Sequence, residues 1–270
     1  MKGKWERGRG ERRPAAEDTD RGALLIWGAH AVEAALANPT RSIVKLWATD
    51  NAAQRLAAGI AARGLVPERV TPRDLDNRLG PDTVHQGMLI EVGDLPEPEL
   101  ATLAETITAC GPLVVLDQVT DPHNVGAVLR SAAVFGSAGI VMTRRHSPPL
   151  GGALAKAASG ALEVVPLALV QNLARALGEL KAAGVVLIGL DGTADTLLDD
   201  ELLGDHLVGR ATALVLGAEG RGLRQLTAET CERFARIGGD GPIGSLNVSN
   251  AAAVALHLGA MARRRSKPRP

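Results

Sequence analysis

From Pro112 onward the chain repeats one pattern: a short, almost wholly apolar run, a polar or glycine-bearing turn, then a helical repeat. The apolar runs are LVVLD, GIVMT, LEVVPLAL, VVLIGL, ATALVLG and FARIGG. Helical patterns begin near His123, Leu150, Val170, Gly222 and Ser245. A strand that is apolar on both sides must be covered on both sides, which is the condition of a strand in a parallel sheet between helices. The pattern predicts an α/β fold with a mostly parallel sheet over residues 112–262. In such sheets ligands collect beyond the carboxyl ends of the strands. The turns that follow the apolar runs are therefore where chemistry is expected.

A smaller α/β unit is predicted upstream, over residues 22–93, from LLIWGAHAVEAAL, IVKLWATD, AAQRLAAGIAARG and QGMLIEV. Residues 94–111 open with DLPEPEL and are expected to link the two units, with LATLAETITACG able to form a short helix. The two ends, 1–21 and 263–270, are basic and read as disordered tails. The first contains MKGKWERGRGERRP and the second is RRSKPRP preceded by a further arginine. No apolar run approaches the ~18 residues of a membrane span, and no apolar segment of a secretory signal follows the basic start. The two cysteines, Cys110 and Cys231, are isolated, as expected of reduced thiols in the cytoplasm. The six histidines lack metal-ligand spacing, so no metal is expected. Aromatic residues make up 2% of the chain, which argues against base stacking on aromatic platforms. Nucleic acid, if bound, would be held by shape, charge and polar contacts.

Three turns stand out. The first, LDQVTDPHNVGAVLRS at 116–131, carries a helix cap, Asp121, with Pro122 at the first helical position. Arg130 follows Gly126 by one helical turn, and its side chain is expected to cross the bare glycine toward Asn124. The second, LVLGAEGRGL at 214–223, has three glycines spaced GxxGxG. That is neither the dinucleotide GxGxxG pattern nor a phosphate-binding P-loop, and a nicotinamide-dependent dehydrogenase is disfavoured accordingly. Glu219 is the carboxylate of this loop. The third, GPIGSLNVSNAAAVALHLGA at 241–260, crowds Ser245, Asn247, Ser249 and Asn250 at the start of a helix, where one cap would suffice.

In their order and spacing these stretches resemble the motifs of the SpoU/TrmH family of RNA ribose 2′-O-methyltransferases, in the SPOUT superfamily. WGAHAVEAAL at 27–36 and VHQGMLIEV at 84–92 resemble the small substrate-binding domain of its large-subunit rRNA guanosine branch. The resemblance implies a SPOUT fold with a C-terminal trefoil knot, a homodimer, and S-adenosylmethionine as cofactor. It places Asn124, Arg130, Glu219, Ser245 and Asn247 in the catalytic site. Leu216, Gly217, Gly220, Ile237, Ile243 and Leu246 become cofactor contacts. Where the family commonly reads Ile-Pro-Met before the third motif, this chain reads Ile237-Gly238-Gly239 followed by Asp240. The family assigns proton removal to the motif-one arginine. A guanidinium is a poor base, since arginine pKa values lie above ~12, and Arg130 is read instead as a phosphate and alkoxide binder. The implied substrate is 23S rRNA at a guanosine. The alternatives are tRNA, or an RNA-binding or ribosome-assembly factor that keeps the fold without turnover.

Overall fold

The computed structural model describes residues 24–203, 209–239, 241–242 and 244–266. The first part of the chain forms β1 (Leu24–Trp27), α1 (Ala29–Ala37), β2 (Ile43–Ala48), α2 (Asp50–Arg55), α3 (Ala57–Ala62), β3 (Glu68–Arg69), α4 (Pro72–Leu79) and β4 (Met88–Val92). These strands make a four-stranded sheet in the order β1-β4-β2-β3, antiparallel except for the β2–β3 pair. The run expected as one helix over 52–64 is two, broken at Leu56. Helix α4 was not foreseen, although its start carries a full capping box: Thr71 accepts from the Asp74 N–H and Asp74 accepts from the Thr71 N–H.

The second part runs α5 (Leu100–Cys110), β5 (Leu113–Asp117), α6 (Pro122–Phe135), β6 (Ile140–Thr143), α7 (Gly152–Ala158), a 3-10 turn (Ala161–Glu163), β7 (Leu167–Val170), α8 (Leu173–Ala182), β8 (Val186–Leu190), α9 (Leu198–Leu203), β9 (Thr212–Gly217), α10 (Gln225–Thr230), β10 (Arg233–Ala235) and α11 (Val248–Ser266). All six strands are parallel, in the order β10-β8-β9-β5-β6-β7. The α/β expectation is met. The alternation within each strand shows why both faces had to be apolar. Val114 and Leu116 of β5 enter the core with α6, α7, α9 and α11. Leu113 and Val115 enter the opposite core with α5 and α8.

Two boundaries are revised. Of the segment expected to link the units, 94–111, the second half is α5, which buries Leu103 and Ile107 under the parallel sheet. Arg263 to Ser266, assigned to the basic tail 263–270, belong to α11. Arg263 donates to the carbonyls of Phe135 and Gly136 at 3.2 and 3.0 Å, satisfying the end of α6. The N-terminal tail, 267–270, Asp240 and Ile243 lie outside the described residues.

The sheet order reverses between β5 and β9: the chain leaves β5 toward β6 and β7, then returns on the other side through β8. A crevice for ligand is expected at such a point, beyond the carboxyl ends of the strands. The register puts Asp117 directly beside Gly217. The first two motifs therefore leave the sheet side by side.

Candidate functional site

Asp121 starts α6 as expected, its carboxylate accepting from the His123 N–H at 2.9 Å, with Pro122 at the first helical position. This fixes Asn124 in the first turn, facing the second motif. There β9 ends at Gly217, and the chain doubles back so tightly that a Cβ on Gly217 would lie 2.2 Å from the Gly222 carbonyl carbon. Only glycine is compatible with that approach. The Gly222 N–H closes the turn on the Ala218 carbonyl at 2.9 Å, and Glu219 projects from it, exposed.

The third motif completes the group. Asn247 caps α11: its Oδ1 accepts from the Ser249 N–H at 2.8 Å and from the Ser249 hydroxyl at 2.5 Å. Its Nδ2 donates to Asn124 Oδ1 at 3.1 Å and to Glu219 Oε1 at 2.6 Å. Asn124 Nδ2 donates to the same Glu219 oxygen at 3.2 Å. One amide thus uses its oxygen to start a helix and its nitrogen to join two other motifs. Glu219 Oε2 has no partner among the described residues. Ser245 is exposed and makes no hydrogen bond among those residues.

Arg130 is exposed and forms no ion pair or hydrogen bond among the described residues. The path expected for it across Gly126 is not open. Gly126 faces α7, where an added Cβ would lie 2.5 Å from the Ala157 Cβ and 2.7 Å from the Leu154 carbonyl oxygen. The glycine serves helix packing, and Arg130 is exposed.

Of the residues expected around a cofactor, Leu216 is buried at the end of β9, and Ile237 packs against the core. Gly220 lies at φ 77° in the turn. Leu246 is 48% exposed. Among the described residues Gly239 has nothing within 4 Å of an added Cβ, while Gly238 faces the Leu197 side chain at 3.1 Å.

Two features at the site escaped the sequence reading. The loop after β8 comes within 3.4 Å of the Gly244 carbonyl oxygen, measured from a Cβ built on Gly192. Asp191 in this loop accepts from the Thr193 N–H at 2.8 Å and its hydroxyl at 2.7 Å, which holds its carboxyl below the usual range. Asp117, fully buried at the end of β5, accepts from Arg224 N at 3.0 Å and Nε at 2.7 Å. It ties the far end of the glycine turn to the first motif. The signal for Asp117 was an acid at the end of an apolar strand; its partner lies 107 positions away and had no local signal. Cys231 is a poor nucleophile: burial, reinforced by the Asp117 carboxylate, pushes its thiol up to about 11.

Among the described residues no group of three or more His, Cys, Asp or Glu could hold a metal ion. No helix there is long and apolar enough to cross a membrane.

Comparison with known proteins joins this geometry to a chemistry. Residues 111–257 match the SpoU rRNA Methylase family, and residues 25–98 match RNA 2′-O ribose methyltransferase substrate binding. Among curated relatives, the 23S rRNA (guanosine-2′-O-)-methyltransferase RlmB of Pseudomonas aeruginosa is 39% identical over 242 residues, covering 86% of this chain and 93% of the relative. That of Pseudomonas syringae pv. tomato is 36% identical over 252 residues, covering 91% and 98%. Among solved structures, the SpoU methyltransferase AviRb from Streptomyces viridochromogenes in complex with AdoMet has a TM-score of 0.71 at 23% identity, covering 92% of each chain. AdoMet-bound rRNA methyltransferase from Sinorhizobium meliloti has a TM-score of 0.72 at 23% identity, covering 91% of this chain and 88% of that one. At these identities the structural likeness is one of fold.

Proposed function

The chain belongs to the SpoU rRNA methylase family, and from that footing we propose that it transfers a methyl group from S-adenosylmethionine to the ribose 2′-hydroxyl of a guanosine in 23S rRNA. The observation that carries this reading is the junction of Asn124, Glu219 and Asn247, drawn from three distant motifs to one point beyond the sheet's switch point. The N-terminal unit of the chain, matched as substrate binding over 25–98, supplies the RNA contact.

The crevice suits the cofactor. Among the described residues, added Cβ atoms on Gly220, Gly222, Gly241 and Gly244 meet nothing within 4 Å, so these loops leave open ground with backbone amides at hand. Ile237, partly buried, and Leu246, 48% exposed, offer apolar surface for a purine, beside the backbone of Leu216. S-adenosylmethionine supplies a methyl group already activated on a sulfonium. What remains for the protein is to align the hydroxyl and remove its proton. Asn124 and Asn247 fix the Glu219 carboxylate through one oxygen. The other oxygen accepts the 2′-hydroxyl hydrogen as the general base. Arg130, with its solvated guanidinium, grips the adjacent phosphate and stabilises the developing alkoxide. Ser245 lies two positions before Asn247 and contacts the same ribose.

The active unit in this reading is a cytoplasmic homodimer with a C-terminal trefoil knot. Support for the dimer is exposed apolar side chains on two helices that pack together, Val134 of α6 at 71% and Val254 and Met261 of α11 at 37% and 39%. Support for the knot is the course of the chain, which leaves β10 at the sheet edge, passes the loop after β8 and ends in α11 against α6.

Methyl-labelled S-adenosylmethionine, with total RNA from a strain lacking the gene, tests the proposal. Label at a single guanosine ribose of 23S rRNA is expected. Label confined to tRNA would redirect the substrate, and cofactor binding in calorimetry without any transfer would make the protein a non-catalytic factor.

A further inference from the structure

Among the described residues, the largest fully buried side chain is charged. Arg41 is 1% exposed, and its side chain and that of Glu163 are 0% and 3% exposed. Arg41 belongs to the substrate-binding unit; Glu163 ends the 3-10 turn behind α7. Arg41 Nη2 donates to Glu163 Oε1 at 2.6 Å, and Nε donates to both carboxylate oxygens at 3.1 and 3.0 Å. Its Nη1 donates to the Gly93 carbonyl at 2.8 Å. Asn38 Nδ2 reaches Glu163 Oε2 at 2.8 Å, and Arg63 donates to the carbonyls of Asn38 and Arg41. Such a pair gives little net stability, because the desolvation of two charges offsets their attraction. A planar fork on a carboxylate does impose one geometry.

Close contacts seat α7 and the turn at Gly160 on both sides, beside a pocket lined by Asn38, Leu162, Glu163 and Val164. Toward the substrate-binding unit, a Cβ on Gly160 would lie 2.9 Å from the Ala34 Cβ, and one on Gly152 would lie 2.9 Å from the Trp27 ring. Lys156 Nζ donates to the Val84 carbonyl at 2.9 Å. Toward the catalytic side, α7 meets Gly126 of α6, where a Cβ would lie 2.5 Å from Ala157. Helix α6 carries Asn124 and Arg130. The hydrophobic core is continuous along the same path, joining Val32 and Leu36 to Leu154 and Val125.

We infer that α7 and the Arg41–Glu163 pair form a rigid spacer that sets the reach from the substrate-binding unit to the methyl-transfer site, and so selects the nucleotide that is modified. The inference rests on the proposed function. Arg41 and Glu163 are positioning residues, remote from the Asn124–Glu219–Asn247 junction.

The test compares the full chain with R41M/E163L, which replaces the ions by apolar groups and avoids stranding a charge, and with E163Q. S-adenosylmethionine affinity by calorimetry is expected to stay unchanged. KM for 23S rRNA should rise on the order of tenfold, with a smaller fall in kcat, as expected when the two binding parts no longer act as one preorganised surface. Methyl label should spread to neighbouring riboses. In a chain with both native cysteines replaced by alanine, spin labels at V66C and L226C should report one narrow distance, broadened in R41M/E163L. A folded R41M/E163L with wild-type KM and a single methylated nucleotide overturns the positioning role, as does a broad distance in the parent. Failure of the parent to methylate any RNA would instead sink the proposed function, and the distance measurement would still decide whether the spacer is rigid.

Discussion

Two glutamates face asparagine amides in this molecule, and they are used in opposite ways. Glu163 has both carboxylate oxygens taken, by Arg41 and Asn38, in a contact sealed from water. Glu219 is exposed, and among the described residues only its Oε1 is engaged, by Asn124 and Asn247. A carboxylate with every lone pair spoken for can hold two parts of a chain in one arrangement, but it has nothing left for a ligand. One steered by a single oxygen keeps the other for a substrate. The neighbouring cations differ in the same sense: Arg41 is immobilised, and Arg130 has no partner among the described residues. A binding group is recognisable here by the capacity left unused.

The difference can be tested at three points. The largest effect is expected at the open site. Arg130→Ala should lower methyl transfer by about 10³-fold, the scale of losing a principal donor to developing charge, while cofactor affinity stays unchanged by calorimetry. Loss of cofactor binding would place Arg130 in the cofactor crevice and break the contrast with Arg41. A smaller effect is expected where the two regions meet. Gly126→Val should lower unfolding free energy by about 1–3 kcal/mol in a denaturant titration, since the α6–α7 contact has no room for a side chain. An unchanged midpoint would mean that α7 yields easily and is no spacer. The smallest effect is expected at Asp117, whose buried carboxylate grips the half-exposed Arg224. Asp117→Asn weakens two charge-assisted hydrogen bonds under the glycine turn, and cofactor affinity should fall about tenfold. Unaltered affinity would show that Gly217 and the turn's own hydrogen bond hold the loop without help from below.

Much of this arrangement was legible in the sequence. Apolar runs in both faces of each strand fixed a parallel sheet covered twice, and the Asp121-Pro122 cap fixed where α6 begins. The capping box at Thr71 was equally legible, though α4 went unread. The error at Gly126 is instructive. Helical spacing put Arg130 and Gly126 on one face, and that is correct; whether that face was free depended on α7, which no local pattern could reveal. The same applies to Arg224, whose partner Asp117 is supplied by a strand from another part of the chain. The loop after β8 was missed because Asp191, Gly192 and Thr193 look like an ordinary turn until Gly244 is brought over them.

By itself, then, the sequence determined the periodic elements, their caps and the chemical identity of the groups at the strand ends, because these follow from patterns within a few residues. Only the tertiary structure decided which groups share a proton or a charge. Asn124, Glu219 and Asn247 are separated by 95 and 28 positions along the chain, and a sheet whose order reverses between β5 and β9 is what brings them within hydrogen-bond distance. Arg41 and Glu163 lie 122 positions apart, and their pairing needs two separate units to meet. Hydrogen bonds act over about 3 Å; the fold alone sets which residues come that close.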